Sequence, residues 1–282
     1  MDGRGWRRFR KNKGAILGAF LVVSVSGLAF LGPYFAPFDP NHQFRDQGLD
    51  DRGAPVGPNE TFLLGADPIG RDELSRLLHG GKVSMQVAFF ATLLATFIGL
   101  FVGVVSGYFG GAIDVVSMRG VDVLLSLPFL IIAITIKRVI AVPELWTMYV
   151  LLGVLSWTTL ARIVRAQTMQ IKTQEFISAA RALGLSPART LLRHIVPNVW
   201  GPTIVVATTM VAQMIIVESA MSFLGLGVEP PKASWGSMLH DAQEMMAHFP
   251  RLVLYPGLLI LATVFGFNLL GEGLRDAVDP KG

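Results

Sequence analysis

From Val83 to Ile113 the chain runs 31 residues without one charged side chain. A helix needs about 20 apolar residues to cross the hydrocarbon of a bilayer. This run therefore holds one span with a glycine-rich exit, Gly107 to Gly111, to spare. Five more apolar runs accompany it: Gly14–Leu31, Ile113–Ile136, Leu145–Ala161, Val199–Val217 and Leu252–Gly271. Together they predict an all-α integral membrane protein with six transmembrane helices. The Ile113–Ile136 run is long enough to span, but it carries Asp114, Arg119 and Asp122 near its start and Pro128 in its middle.

Composition agrees. The chain is 52% hydrophobic and only 16% charged, where a soluble domain carries about 25% charged residues; its mean hydropathy is +0.53. The net charge of +4 is read as the mark of cytoplasmic loops rather than of a nucleic-acid surface. The absence of cysteine excludes disulfides, thiolate metal sites and cysteine nucleophiles.

Charge also sets the expected topology. Arg4, Arg7, Arg8, Arg10, Lys11 and Lys13 precede the first run against a single Asp2. With no small-residue cleavage site after it, that run reads as a retained span whose N-terminus is inside. Residues 33–81 carry eight acidic residues against four arginines, which suits the external side. This segment reads as irregular until Arg71, after which Leu74, Leu77 and Leu78 predict a short amphipathic helix on the membrane surface. Counting from an inside N-terminus, four spans return the chain to the cytoplasm at 162–198. That segment independently carries Arg162, Arg165, Lys172, Arg181, Arg189 and Arg193 against Glu175 alone, as the positive-inside rule requires. Lys137-Arg138, at an external end, is the exception. Both termini are expected in the cytoplasm. The chain divides into 1–81 (basic tail, first span, external loop), 82–271 (five spans with a cytoplasmic loop at 166–198) and a short tail, 272–282.

Within the loop, Thr173 to Asn198 reads as two short helices around one glycine. Thr173 is expected to cap the first, and Glu175 places negative charge at its positive end. Gly184 is expected to end it in the left-handed conformation. Ser186-Pro187 restarts the chain as cap and first helical residue, and Pro197 is expected to end the second helix. A compact helix pair between two spans presents something to a soluble partner. Its arginines either pair with carboxylates on that partner or lie solvated near anionic lipid.

Charges inside the apolar runs need partners. Arg119 and Asp122, three apart, are expected to pair on one helix face. Glu218, beside Ser219 and Ser222, either caps backbone at the SFLGLG break or lines an external mouth. Asn268 and Glu272 are expected to fix the cytoplasmic end of the last span. Thr208, Thr209, Gln213 and Met214 form a polar-tinged stretch that faces either a pathway or a neighbouring helix. No catalytic set emerges: His42, His79, His194, His240 and His248 are scattered without metal spacing, and there is no G-x-x-x-x-G-K-[ST]. The chain is expected to be non-enzymatic and to bind no cofactor.

The segment Ser178 to Pro197 resembles the cytoplasmic "EAA" loop of binding-protein-dependent ABC importer permeases. Ala179, Ala180, Gly184 and Pro197 fall on that loop's spacing, while Ser178, His194 and Val196 depart from its glutamate, isoleucine and leucine. The ending Arg193 to Asn198 is similar to the dipeptide, oligopeptide and nickel branch. LLGADPIGRDELSRLLHGGKVS (63–84), GYFGGAIDVVSMRGVDVLLSLP (107–128), ESAMSFLGLGVEPPKASWGSML (218–239) and NLLGEGLRDAVDP (268–280) point to that branch's second permease subunit. The resemblance implies a type I importer permease fold in the bacterial inner membrane. It implies that Glu175, Ser178, Ala179, Ala180, Arg181, Gly184, Arg189, Arg193, His194 and Pro197 belong to a coupling loop that docks on an ATP-binding subunit. It also implies a homologous second permease, two ATP-binding subunits that hold ATP and magnesium, and an external solute-binding protein. The solute expected is a di- or oligopeptide, with nickel, glutathione, an opine or an oligosaccharide as alternatives. Against a secondary transporter stands the lack of repeated halves. A membrane-anchored scaffold needs no five runs with polar breaks.

Overall fold

The computed structural model describes residues 8–140 and 144–278. Asp2, Arg4 and Arg7 of the basic tail, and Asp279 and Pro280 of the C-terminal motif, lie outside the described residues. Five helices are long and apolar enough to cross a membrane. They are α1 (Lys13–Leu31, extended by a 3-10 turn to Phe35), α3 (Glu73–Phe109), α6 (Leu145–Lys172), α9 (Val196–Phe223) and α11 (Arg251–Val278). A sixth candidate span is a pair, α4 (Gly111–Ser126) and α5 (Phe129–Ile140), bent by 88°. Pro128 explains the bend, since a residue before proline is driven out of the helical region, and Leu127 sits at φ −95°, ψ 137°. The short helices are α2 (Arg45–Gly48), α7 (Glu175–Ala182), α8 (Pro187–Thr190) and α10 (Trp235–Asp241). Among the described residues the only β pairing is two isolated bridges, Leu49 with Pro55 and Ala66 with Asp72.

The α3–α6 pair is the spine of the molecule. Gly99, Gly103 and Gly107 recur every four residues on one face of α3, and their backbone lies against α6. A Cβ on Gly103 would stand 2.7 Å from the Ala161 carbonyl oxygen, and one on Gly107 2.8 Å from that of Arg165. Gly153 of α6 answers from the other side, where a Cβ would meet Leu94 at 2.8 Å. Close backbone approach of this kind replaces the hydrophobic drive that lipid cannot supply between helices. α1 packs on α11 by the same device, with Gly18 against the Gly266 carbonyl and Leu270.

No separate surface helix precedes α3. Asp72 caps α3 by accepting from the Ser75 N–H at 2.8 Å, and the helix then runs on through Gly80 and Gly81. At about 55 Å, 37 residues exceed the hydrocarbon thickness. The first turns of α3 are packed in protein, with Leu77 and Leu78 buried. At Gly81 the Trp235 ring fills the space a side chain would need, 2.8 Å from where a Cβ would stand.

Ion pairs cluster at the two ends. At one end Asp67 meets Arg71 and Arg76, both arginines reach Asp241 of α10, and Arg251 donates to the carbonyls of Pro55 and Val56. Lys137 belongs to the same end. It is nearly buried and pairs with Glu229 at 3.1 Å, so a local carboxylate compensates the cation that runs against the charge bias. At the other end Asn12 donates to Asp276, joining the start of α1 to the end of α11, and the α7–α8 pair projects.

Candidate functional site

The helix pair is held by two devices. α7 ends in a full Schellman motif: Gly184 takes φ +77°, its N–H donates to the Arg181 carbonyl, and the Leu185 N–H donates to that of Ala180. Ser186 then caps α8 by accepting from Arg189 N–H, with Pro187 at the first position. Two expectations need correction. Thr173 does not cap α7; its hydroxyl donates back to the Gln170 carbonyl at the end of α6, and Gln174 stands at the cap without a side-chain bond. The two-residue link is too short to turn Thr173 away from the helix it closes. Pro197 does not end the second helix either. α8 widens into one π-helical turn, Leu191–Ile195, and passes straight into α9, with Pro197 in its first turn. The wider turn lets the Val196 N–H reach Leu191 five residues back and gives the proline ring room where an α-turn would clash.

Ala180 faces inward as well. It is 6% exposed and, with Ile177 at 0%, seats α7 against this chain's own helices. Arg181 turns back too, its guanidinium 5.0 Å from the Tyr108 ring centroid, with Lys172 Nζ 5.8 Å from the same ring. Arg181 is exposed all the same, and it shares the outward surface with others. Glu175, Ser178, Ala179, Arg189 and Arg193 are exposed, and Leu183 and Leu192 stand 81% and 72% exposed at the two sides of the turn. His194 is half-buried, its ring 6.4 Å from that of Phe176. Sequence reasoning missed Leu183 and Leu192. For Leu183 the signal was a large apolar residue directly before a left-handed glycine; Leu192, eight residues beyond it, carried none.

Of the intramembrane charges, Arg119 and Asp122 do not pair with each other. Asp122 takes Arg162 of α6 and Asp114 takes Arg165, while Arg119 is exposed without an ion-pair partner among the described residues. α6 runs alongside α4, so its arginines satisfy those carboxylates across the helix interface. Glu218 is fully buried. It accepts from Ser84 of α3 at 3.0 Å and from Ser222 at 2.7 Å, and Ser222 Oγ in turn accepts from the Val228 N–H. Ser84 Oγ also accepts from the Trp235 N–H, while the Trp235 indole donates to the Leu77 carbonyl. Glu218 therefore acts through serines to lock α10 onto α3 and α9. It makes no direct backbone cap and lines no mouth. Asn268 and Glu272 are exposed without a side-chain bond among the described residues; the end of α11 is held by Asp276 instead. Thr208 and Thr209 bond to carbonyls of their own helix. Among the described residues no cluster of three metal-ligating side chains occurs.

An exposed, internally braced helix pair at the base of a membrane bundle agrees with the comparisons to known proteins. The family described as binding-protein-dependent transport system inner membrane component matches residues 95–281, and the N-terminal TM domain of oligopeptide transport permease C matches residues 3–55. The dipeptide transport system permease of Haemophilus influenzae is 36% identical over 276 residues, covering 98% of this chain and 93% of that protein. That of Bacillus subtilis is 39% identical over 278 residues, covering 98% and 84%. The glutathione transport system permease of Escherichia coli O1:K1 / APEC is 37% identical over 276 residues, covering 98% and 89%. The chain belongs to the binding-protein-dependent transport system inner membrane component family and is a multi-pass protein of the bacterial inner membrane.

Proposed function

We propose that this chain is the second transmembrane permease subunit of an ATP-driven importer for di- or oligopeptides. The observation that carries the coupling role is the exposed helix pair, braced by a Schellman turn and continuous with a membrane span. Both termini and 166–198 lie in the cytoplasm. The chain works with a homologous permease, two ATP-binding subunits that hold ATP and magnesium, and an external solute-binding protein. It carries no hydrolytic chemistry itself. That the relatives are dipeptide, oligopeptide and glutathione permeases, the last solute itself a tripeptide, supports a short peptide as the cargo.

The geometry supplies a mechanism. A push on α8 passes into α9 without a joint, because the backbone is helical from Pro187 to Phe223. A push on α7 reaches the end of α3 through Arg181 on Tyr108, and α6 through the short link at Thr173. When the ATP-binding subunits close, two rigid struts move three spans, α9 by one and α3 and α6 by the other, and the bundle rocks as bodies rather than bending. Leu183 and Leu192 are the apolar anchors for a groove on the ATP-binding subunit; Glu175, Arg189 and Arg193 make its polar rim.

Reassembling the importer with its partner subunits and measuring peptide-stimulated ATPase and uptake tests this. Leu183→Glu is expected to leave membrane insertion and permease pairing intact while lowering stimulated ATPase and uptake at least tenfold. Survival of both would refute the docking role. Ala180→Glu is the wrong probe, because Ala180 is packed inside this chain.

A further inference from the structure

At the break between α4 and α5 a cavity of about 600 Å³ opens toward α6 and α9. Its wall is apolar at Leu127, Phe129 and Leu155, and polar at Ser156, Thr159 and Gln213. Thr159 sits at the midpoint of α6 and Gln213 in the outer half of α9, so the cavity lies at membrane depth. Gln213 and Thr159 are exposed, and neither side chain has a hydrogen-bond partner among the described residues. The broken span adds backbone. The end of α4 leaves carbonyls without intrahelical partners, of which Val123 receives a bond from the Ser126 hydroxyl.

An unpaired primary amide facing hydrocarbon costs several kcal/mol, about 2–7 by transfer measurements. Non-helical backbone at this depth is tolerated only inside protein or against a water-filled space. This face is therefore no lipid surface. The other groove of comparable size, between α1, α3, α9 and α11, differs: Phe30, Phe89, Leu93 and Ile204 dominate it, its polar groups include Ser and Thr hydroxyls such as Thr92 and Thr203, and among the described residues no primary amide lines it. The polar hollow is also no flat helix-packing face. A concave site of several hundred Å³ with apolar walls and a few convergent polar groups has the form of a small-molecule site.

We infer that the cavity at the α4–α5 break is a wall of the peptide pathway, with Gln213 and Thr159 as its peptide-backbone contacts. A primary amide offers two donors and an acceptor, matching the alternating N–H and C=O of an extended peptide, while the leucine and phenylalanine wall takes apolar side chains. This rests on the peptide reading above and gives it a location.

The chain has no cysteine, so single cysteines report cleanly. Thr159→Cys and Gln213→Cys, each in the assembled importer in membranes, are treated with a membrane-impermeant maleimide with and without ATP. Ile204→Cys is the control. It lies on the same helix nine residues from Gln213, about 180° around the axis, and lines the apolar groove. The expected result is labelling at 159 and 213 in at least one nucleotide state and none at 204. Tri-alanine delivered by the binding protein is expected to slow labelling at least fivefold, and labelled Gln213→Cys complex to lose uptake. Labelling at 213 no faster than at 204 in every state overturns the inference, as burial against the second permease would produce. Labelling that tri- and tetra-alanine leave unchanged, in a complex whose ATPase they stimulate, overturns it too. If the unmodified complex ignores every peptide, the peptide reading falls and with it the assignment of backbone contacts. Labelling at 159 and 213 alone then decides whether the wall is part of a pathway.

Discussion

Gly184 is the residue on which the helix pair turns. Its φ of +77° is costly for any side chain bearing a Cβ, yet a Cβ there would meet nothing within 4 Å. The penalty of substitution is therefore conformational alone, about 1–2 kcal/mol. Gly184→Ala is expected to weaken coupling measurably, and Gly184→Val more, while Gly184→Asn retains most of it because asparagine tolerates this region. Peptide-stimulated ATPase of the reassembled complex ranks the three; equal loss in all would show that contact, not angle, governs the site. The glycine and its serine cap were legible because cap chemistry is local. Thr173 and Pro197 were not. Thr173 sits two residues before α7 but closes α6, and the choice between two helices is made by a link length that spacing does not display. Pro197 ordinarily stops a helix, and only the π-turn of Leu191–Ile195 lets it continue. Ala180 is small enough to suit either face, and only its burial, shared with Ile177, settles that it faces this chain.

The α3–α6 interface and the Glu218 lock carry the packing between elements. Gly103→Leu forces a side chain into a space where a Cβ already lies 2.7 Å from backbone. It is expected to prevent recovery of a monodisperse protein from membranes, whereas Gly120→Leu, where nothing lies within 4 Å, leaves yield unchanged. For Glu218, replacement by leucine leaves the Ser84 and Ser222 O–H donors without their acceptor, each worth about 1–3 kcal/mol when buried and unpaired. Glu218→Leu is therefore expected to lower the melting temperature of the solubilised protein by several degrees, and Glu218→Gln, which keeps an acceptor, by less. Equal melting of both variants and the parent would mean that the serines repair themselves. The spans were readable from charge-free length, since lipid imposes that length. Their partners were not. Asp122 lies three residues from Arg119 in sequence but bonds Arg162, forty residues away, because pairing across helices depends on tilt. The start of α3 was read as a surface helix because three leucines at helical spacing look alike against lipid and against protein.

At the scale of the molecule, the two ends differ in kind. One is a folded cap, with residues 36–72 pinned to α10 and α11 by Asp67, Arg71, Arg76, Asp241 and Arg251. The other is the basic helix pair beside the termini. Five candidate spans and one bent pair lie between these ends; Asn12 joins Asp276 at one end and Lys137 joins Glu229 at the other. By the positive-inside rule the basic segments are expected to stay on the side of synthesis and the acidic cap to cross. Glu60→Cys and Leu183→Cys are exposed positions at opposite ends. In right-side-out vesicles an impermeant thiol reagent is expected to label Glu60→Cys, and in inverted vesicles Leu183→Cys from the preparation lacking ATP-binding subunits. Adding those subunits is expected to slow labelling at 183 at least tenfold and to leave 60 unchanged. Labelling of both positions from one side would break the six-crossing path, and a reversed pattern would keep the path but invert it, placing the helix pair beyond the reach of any cytoplasmic motor.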